Sequence, residues 1–139
     1  MKLIIDANIL FSAFLKDGLT RRIIIYNFFE LYTPKYILEE FFEHIAELAK
    51  KSKVNKEIMK SNIKEFISSS GIKLYSKKDM QDFIGKAKII SPDNDDVMYF
   101  AAALKLNCPI WSNDKKLREQ NKIKIHSTKE ILDIIRQTE

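Results

Sequence analysis

Short apolar runs rich in β-branched residues alternate along the chain with longer stretches in which apolar residues recur every three or four positions. Leu3-Ile4-Ile5 is a continuous apolar run and predicts a central strand buried on both faces. It ends at Asp6. Thr20 is placed to cap a helix running to about Phe29. Leu31-Tyr32-Thr33 predicts a second strand, stopped by Pro34. From Tyr36 to about Lys51, Ile37, Leu38, Phe41, Phe42, Ile45, Leu48 and Ala49 form one broad helical stripe. A further helix, about Lys56 to Ser69, turns Ile58, Met59, Ile63, Phe66 and Ile67 inward. Ser68-Ser69-Ser70-Gly71 ends it.

Ile72-Lys73-Leu74-Tyr75 alternates as a short edge strand does, and a helix near Lys78 to Lys88 would bury Met80, Phe83, Ile84 and Ala87. Ser91-Pro92-Asp93-Asn94-Asp95-Asp96 is dense in helix-start residues and leads into a helix from Val97 to about Leu106. Pro109 to Ser112 predicts a strand ending at Asn113-Asp114, and Lys122 to His126 a last alternating strand. Ser127-Thr128-Lys129-Glu130 has the spacing of a capping box before a final helix to about Arg136. Strands alternating with helices predict a three-layer α/β/α sandwich around a mainly parallel sheet. No internal repeat or linker divides it, so residues 1–139 are expected to form one domain.

Composition narrows the picture. Apolar residues are 45% of the chain, enough for a real core, and only three Gly and three Pro argue against a turn-rich β architecture. The net charge is +5, which suits a nucleic-acid partner and equally suits a Lys-rich surface. The single cysteine, Cys108, excludes an intramolecular disulfide and a cysteine zinc site, and reads as a buried structural thiol. Met1–Ile5 is too short for a signal peptide, and no apolar run has the length of a membrane span. A soluble, cytoplasmic protein is the expectation.

The candidate chemistry lies in four acids at strand ends or helix starts: Asp6, Glu40, Asp96 and Asp114. In a right-handed parallel arrangement, Asp6, Asp96 and Asp114 fall on one edge of the sheet. Carboxylates gathered there repel one another unless a cation neutralises them. Oxygen donors without a Cys/His set point to Mg²⁺ or Mn²⁺. Asp96 and Asp114 each precede a helix, where aspartate is also a favoured cap. Glu39 and Glu40 flank the apolar stripe of their helix on opposite sides, and periodicity does not choose between them. Asn8 is placed to hold Asp6 or a water, and Ser112 to bond a metal ligand or a phosphate. His44 lies one turn after Glu40, whereas His126 falls at a strand end with no chemistry. Phosphate-binding candidates are Lys35, Lys50, Lys51, Lys53, Lys115, Lys116, Lys122 and Arg118, with Lys115-Lys116 beside Asp114 the most suggestive.

Ile5-Asp6-Ala7-Asn8, Leu38-Glu39-Glu40-Phe41, Asp96 with Ala101-Ala102-Ala103-Leu104, and Trp111-Ser112-Asn113-Asp114 resemble, in order and spacing, the motifs of the PIN-domain nucleases. The resemblance covers nearly the whole chain and extends to compact prokaryotic members, among them the VapC-type toxins. It implies a Mg²⁺- or Mn²⁺-dependent ribonuclease with Asp6, Glu40, Asp96 and Asp114 as catalytic, metal-binding acids. The apolar-apolar-x-Glu pattern of the family favours Glu40 over Glu39, and Ser112 matches a Ser/Thr before the fourth acid. Many relatives have a further acid where this chain has Lys116. The resemblance also implies a possible antitoxin and a homodimer as partners. Two other readings stand beside it. One is a haloacid-dehalogenase-like phosphotransferase with Asp6 as nucleophile, although Asp6-Ala7-Asn8 lacks that family's Asp-x-Asp. The other is an RNA-binding or assembly module without turnover.

Overall fold

The structure, a computed structural model, describes residues 1–138. Its centre is a five-stranded sheet of order β3-β2-β1-β4-β5, formed by β1 (Lys2–Ile5), β2 (Glu30–Pro34), β3 (Lys73–Tyr75), β4 (Ile110–Trp111) and β5 (Ile125–His126). Every pairing is parallel. Ile4 is opposite Tyr32 on one side and Ile110 on the other, so the apolar Leu3–Ile5 run is the middle of the sheet, as its unbroken hydrophobicity requires.

Side chains alternate across the pleat, and this divides the core in two. Leu3, Ile5 and Trp111 face α1 (Ala7–Leu15), α2 (Leu19–Ile25), α3 (Ile37–Glu43), α4 (Ile45–Ser52), α5 (Lys56–Ser69) and α8 (Thr128–Thr138). Ile4 and Ile110 face α6 (Gln81–Ile90) and α7 (Val97–Leu106), where Phe100 to Ala103 pack closely beneath the strands. The expected three-layer, parallel α/β/α sandwich is the fold observed. No helix among the described residues is long and apolar enough to cross a membrane.

Several elements differ from the sequence reading. Ala7–Leu15 is a helix without a sequence signal of its own; apolar on nearly every position, it shows no helical period. Gly18, not Thr20, precedes α2, which ends at Ile25. The single helix expected from Tyr36 to Lys51 is two. At His44 the amide bonds back to Phe41 O at 3.2 Å, a tightened turn that ends α3 and starts α4. The helix expected from Lys78 opens as a 3₁₀ turn at Lys78–Met80 before α6. The last strand keeps only Ile125–His126. Upstream of it, the Gln120 side chain donates to Leu117 O and Ile123 O and accepts the Lys122 and Ile123 amides, holding a loop instead. The capping box before α8 is realised: Ser127 Oγ accepts the Glu130 amide and Glu130 Oε1 accepts the Ser127 amide. Cys108 is half-buried and free, its thiol pushed up to about 11 by burial.

Phe41 carries much of the larger core. It is fully buried, and its ring meets Phe11 at 4.3 Å and Phe14 at 5.4 Å between centroids. Phe41→Ala is expected to cost about 3–5 kcal/mol in urea unfolding, whereas a cost below about 1 kcal/mol would contradict this packing.

Candidate active site

In the order β3-β2-β1-β4-β5 the direction of winding reverses between β1 and β4. Open parallel sheets have a crevice outside the carboxyl ends of the strands at such a point. Asp6 follows β1 and Asp114 follows β4, so both flank that crevice. Asp96 ends the 3₁₀ turn Asn94–Asp96 that leads into α7.

Asp6 is held hard. It is 6% exposed and caps α1, its Oδ1 accepting the Ile9 amide at 2.9 Å. Its Oδ2 accepts the Ser112 hydroxyl. The oxygen of Ser112 accepts the Asp114 amide at 3.0 Å, so this fully buried serine ties the two strand ends together. Burial raises the Asp6 pKa above its ordinary value; the bonds from Ser112 and Ile9 oppose the rise, and the charge of Asp114 adds to it.

Asp96 stands where a cap is expected, yet its side chain makes no cap hydrogen bond. Its carboxyl is pushed up to about 6, first by burial and then by repulsion from Asp93, Asp114, Asp6 and Asp95. Asp114 is exposed and does cap, its Oδ1 accepting the Lys116 amide at 3.0 Å. These repulsions bring Asp6, Asp96 and Asp114 into one electrostatic group.

Glu40 stands at the rim of that group. It is half-buried while Glu39 is exposed, which separates the two residues that periodicity left equal. Burial raises its pKa, Glu43 and Asp95 add to the rise, and His44 opposes it. Asn8 lies exposed in the first turn of α1, and the partners of the Asp6 carboxylate are Ile9 and Ser112, not the Asn8 side chain. Asn8 instead lines a cleft of about 320 Å³ with Ile9, Ser12, Asn113 and Asp114.

The proposed phosphate contacts are thinned by ion pairing. Lys116 Nζ lies 2.9 Å from Asp93 Oδ2, Lys51 pairs with Glu47 at 3.3 Å, and Arg118 pairs with Glu130. Lys122 precedes β5 and so sits at the opposite, amino edge of the sheet, in a separate cleft with Arg118. Lys35 and Lys115 are exposed just beyond β2 and β4, on the acidic edge. Lys50 and Lys53 are exposed around the end of α4. His126 is partly buried, its Nδ1 without a hydrogen-bond partner among the described residues.

Two residues escaped the sequence reading. Tyr99 is 3% exposed, and its hydroxyl accepts the Ala7 amide at 3.0 Å. The Tyr36 ring lies 6.5 Å from that of Tyr99. Burial raises both phenols, Tyr36 to about 12, and the charges of Glu40 and Asp96 add to the rise at Tyr36, those of Asp6 and Glu40 at Tyr99. The available signal was spacing: Asp96-x-x-Tyr99 and Tyr36-x-x-x-Glu40 each put a tyrosine on the same helical face as an acid.

Neither Asp6 nor Asp96 has an ion-pair partner among the described residues. Nor do any three acidic, histidine or cysteine side chains among them converge tightly enough to enclose an ion unaided. The donor set is nevertheless oxygen-only, like-charged and uncompensated, which fits a hard divalent cation that completes its shell with water.

An open parallel sheet with an acidic crevice at its reversal point defines a small α/β protein with its ligand-binding edge at the carboxyl ends of the strands. A family model described as the PIN domain matches residues 4–134, and the chain belongs to that family, whose members are nucleases. The fold is also that of VapBC2 from Rickettsia felis, solved bound to a DNA fragment from its promoter. The match has a TM-score of 0.67 at 15% identity and covers 91% of this chain and 98% of that one. No curated protein matches the chain in sequence.

The raised acids set a pH dependence. A carboxyl whose folded pKa is raised holds its proton more tightly than the unfolded chain does, so stability falls as pH rises from the ordinary value toward the folded one. For Asp96 that window runs from 3.8 to about 6. Asp96→Asn is therefore expected to match wild type near pH 4 and exceed it at pH 7 by on the order of 1–2 kcal/mol, once solvent screening is allowed for. Urea unfolding in EDTA at the two pH values checks this; a variant weaker than wild type at pH 7 contradicts it.

Proposed function

We propose that this chain is a Mg²⁺- or Mn²⁺-dependent endoribonuclease whose active site is the crevice between β1 and β4. The observation that supports it most is the pair of unneutralised acids, buried Asp6 and half-buried Asp96, beside Asp114 at the reversal point of the sheet. Asp6 and Asp96 would hold the principal ion, with Asp114 and Glu40 completing the site directly or through water. When bound, the ion would neutralise the carboxylates, polarise the scissile phosphate and lower the pKa of a water.

The chain's own residues do the rest. Ser112 and the Ile9 amide fix both oxygens of Asp6. That leaves Asp6 poorly disposed as a nucleophile and argues against the phosphotransferase reading. Water attacks phosphorus in line and leaves a 5′-phosphate and a 3′-hydroxyl, with no acyl or phosphoryl enzyme. Lys35 and Lys115, exposed on the same edge, hold the RNA backbone and make binding salt-dependent.

The likeness to the VapBC2 fold supports placing this nuclease as the toxin of a toxin–antitoxin pair, acting in the cytoplasm. The antitoxin and a second copy of the chain are its protein partners in that reading. Exposed Leu15, Leu19, Tyr26 and Phe28 offer apolar surface for such contacts.

Wild type, Asp6→Asn and Asp96→Asn, incubated with labelled structured RNA and with matching DNA in Mn²⁺ or EDTA, test the proposal on a gel. Wild type should cleave RNA only with Mn²⁺, and each variant should lose about 100-fold or more while circular dichroism shows the fold intact. Equal cleavage by all three proteins would contradict the site. RNA binding without cleavage at saturating Mn²⁺ would favour the silent binding module.

A further inference from the structure

Tyr99 joins parts of the molecule that the acidic edge needs in register. It lies one turn after Asp96 on α7, and its hydroxyl accepts the Ala7 amide across 92 residues of sequence. Ala7 is the first residue of α1, and its N–H has no partner within the helix. The residue before it is Asp6, whose own carboxylate caps the same turn at Ile9. One phenol therefore pins the peptide between Asp6 and Ala7 to the helix that carries Asp96. Tyr36, one turn before Glu40 on α3, packs its ring 6.5 Å from that of Tyr99. The tyrosine pair thus touches each of the three elements that bring Asp6, Glu40 and Asp96 to the crevice.

A buried tyrosine has a plainer use as core filling with a satisfied hydroxyl, and Tyr75 shows that use. It is 4% exposed and donates to Met98 O at 3.1 Å, on the same helix. The hydroxyl of Tyr99 differs in what it holds: a helix-start amide adjoining a buried acid, rather than a helical carbonyl.

We propose that Tyr99 is a positioning residue of the acidic site: by accepting the Ala7 amide it fixes the turn that orients the Asp6 carboxylate against Asp96, and Tyr36 carries that constraint to α3. The proposal rests on the acidic edge being the metal centre, but one of its readouts does not.

Tyr99→Phe keeps the ring and removes the acceptor. Amide hydrogen exchange would be followed at Ala7, Ile9 and Ile63, and Mn²⁺ affinity by calorimetry, with Tyr75→Phe as the control. Exchange at Ala7 should quicken simply because its bond is lost. The informative amide is Ile9, whose acceptor is the Asp6 carboxylate; it should quicken about tenfold while Ile63, deep in the core, does not. Mn²⁺ affinity should fall about 10- to 100-fold, the range found when a group supporting a metal ligand is removed. Tyr75→Phe should change neither Ile9 exchange nor affinity. Wild-type values for Ile9 and Mn²⁺ in Tyr99→Phe would overturn the proposal, and so would uniform quickening of all three amides, which marks a merely structural tyrosine. A wild-type protein that binds no Mn²⁺ would defeat the metal reading alone, because Ile9 exchange would still decide whether Tyr99 orients Asp6.

Discussion

The repulsion among carboxylates at the carboxyl edge of the sheet is the constraint around which the molecule is arranged. Asp6 is buried and Asp96 partly so; the charge of Asp114 raises the cost of ionising both, and that of Asp6 adds to it at Asp96. A fold built for stability alone would place a lysine between them or replace them. Here the nearby cation, Lys116, is drawn instead to Asp93, outside the central pair. The stability forgone at the edge is offset by two continuous cores on the faces of the sheet, which keep the strand ends where they are.

Rigidity near the site comes from bonds that cross long stretches of chain. Ser112 links Asp6 to the amide of Asp114, so the ends of β1 and β4 move together. Thr33, fully buried on β2, donates to Ile5 O at 3.0 Å and binds the neighbouring strand end to the same point. Such contacts hold an acid in place without setting a cation beside it, which is what a cation-binding crevice requires. The outer rim is looser: Lys35 and Lys115 are exposed there.

Much of this was legible from residue order because its causes are local. The Leu3–Ile5 run could only be a buried central strand, and the acids at Asp6, Asp96 and Asp114 follow from where strands end and helices begin. The features that escaped have non-local causes. Ala7–Leu15 is buried on so many sides that it shows no helical period. The break at His44 is a single tightened hydrogen bond inside an unbroken apolar stripe. The choice between Glu40 and Glu39 depends on which side of α3 meets the rest of the molecule. The engagement of Lys116 with Asp93 spans 23 residues, and that of Tyr99 with Ala7 spans 92. Spacing alone reveals neither.

The central claim is that Asp6, Asp96 and Asp114 together form a divalent-cation site. Soaking crystals of the protein in Mn²⁺ and computing an anomalous difference map tests it most directly. The account predicts a peak in the crevice between β1 and β4, within coordination distance of both Asp6 and Asp96. A well-soaked crystal with no peak there, or with its peak at other acids, would contradict it.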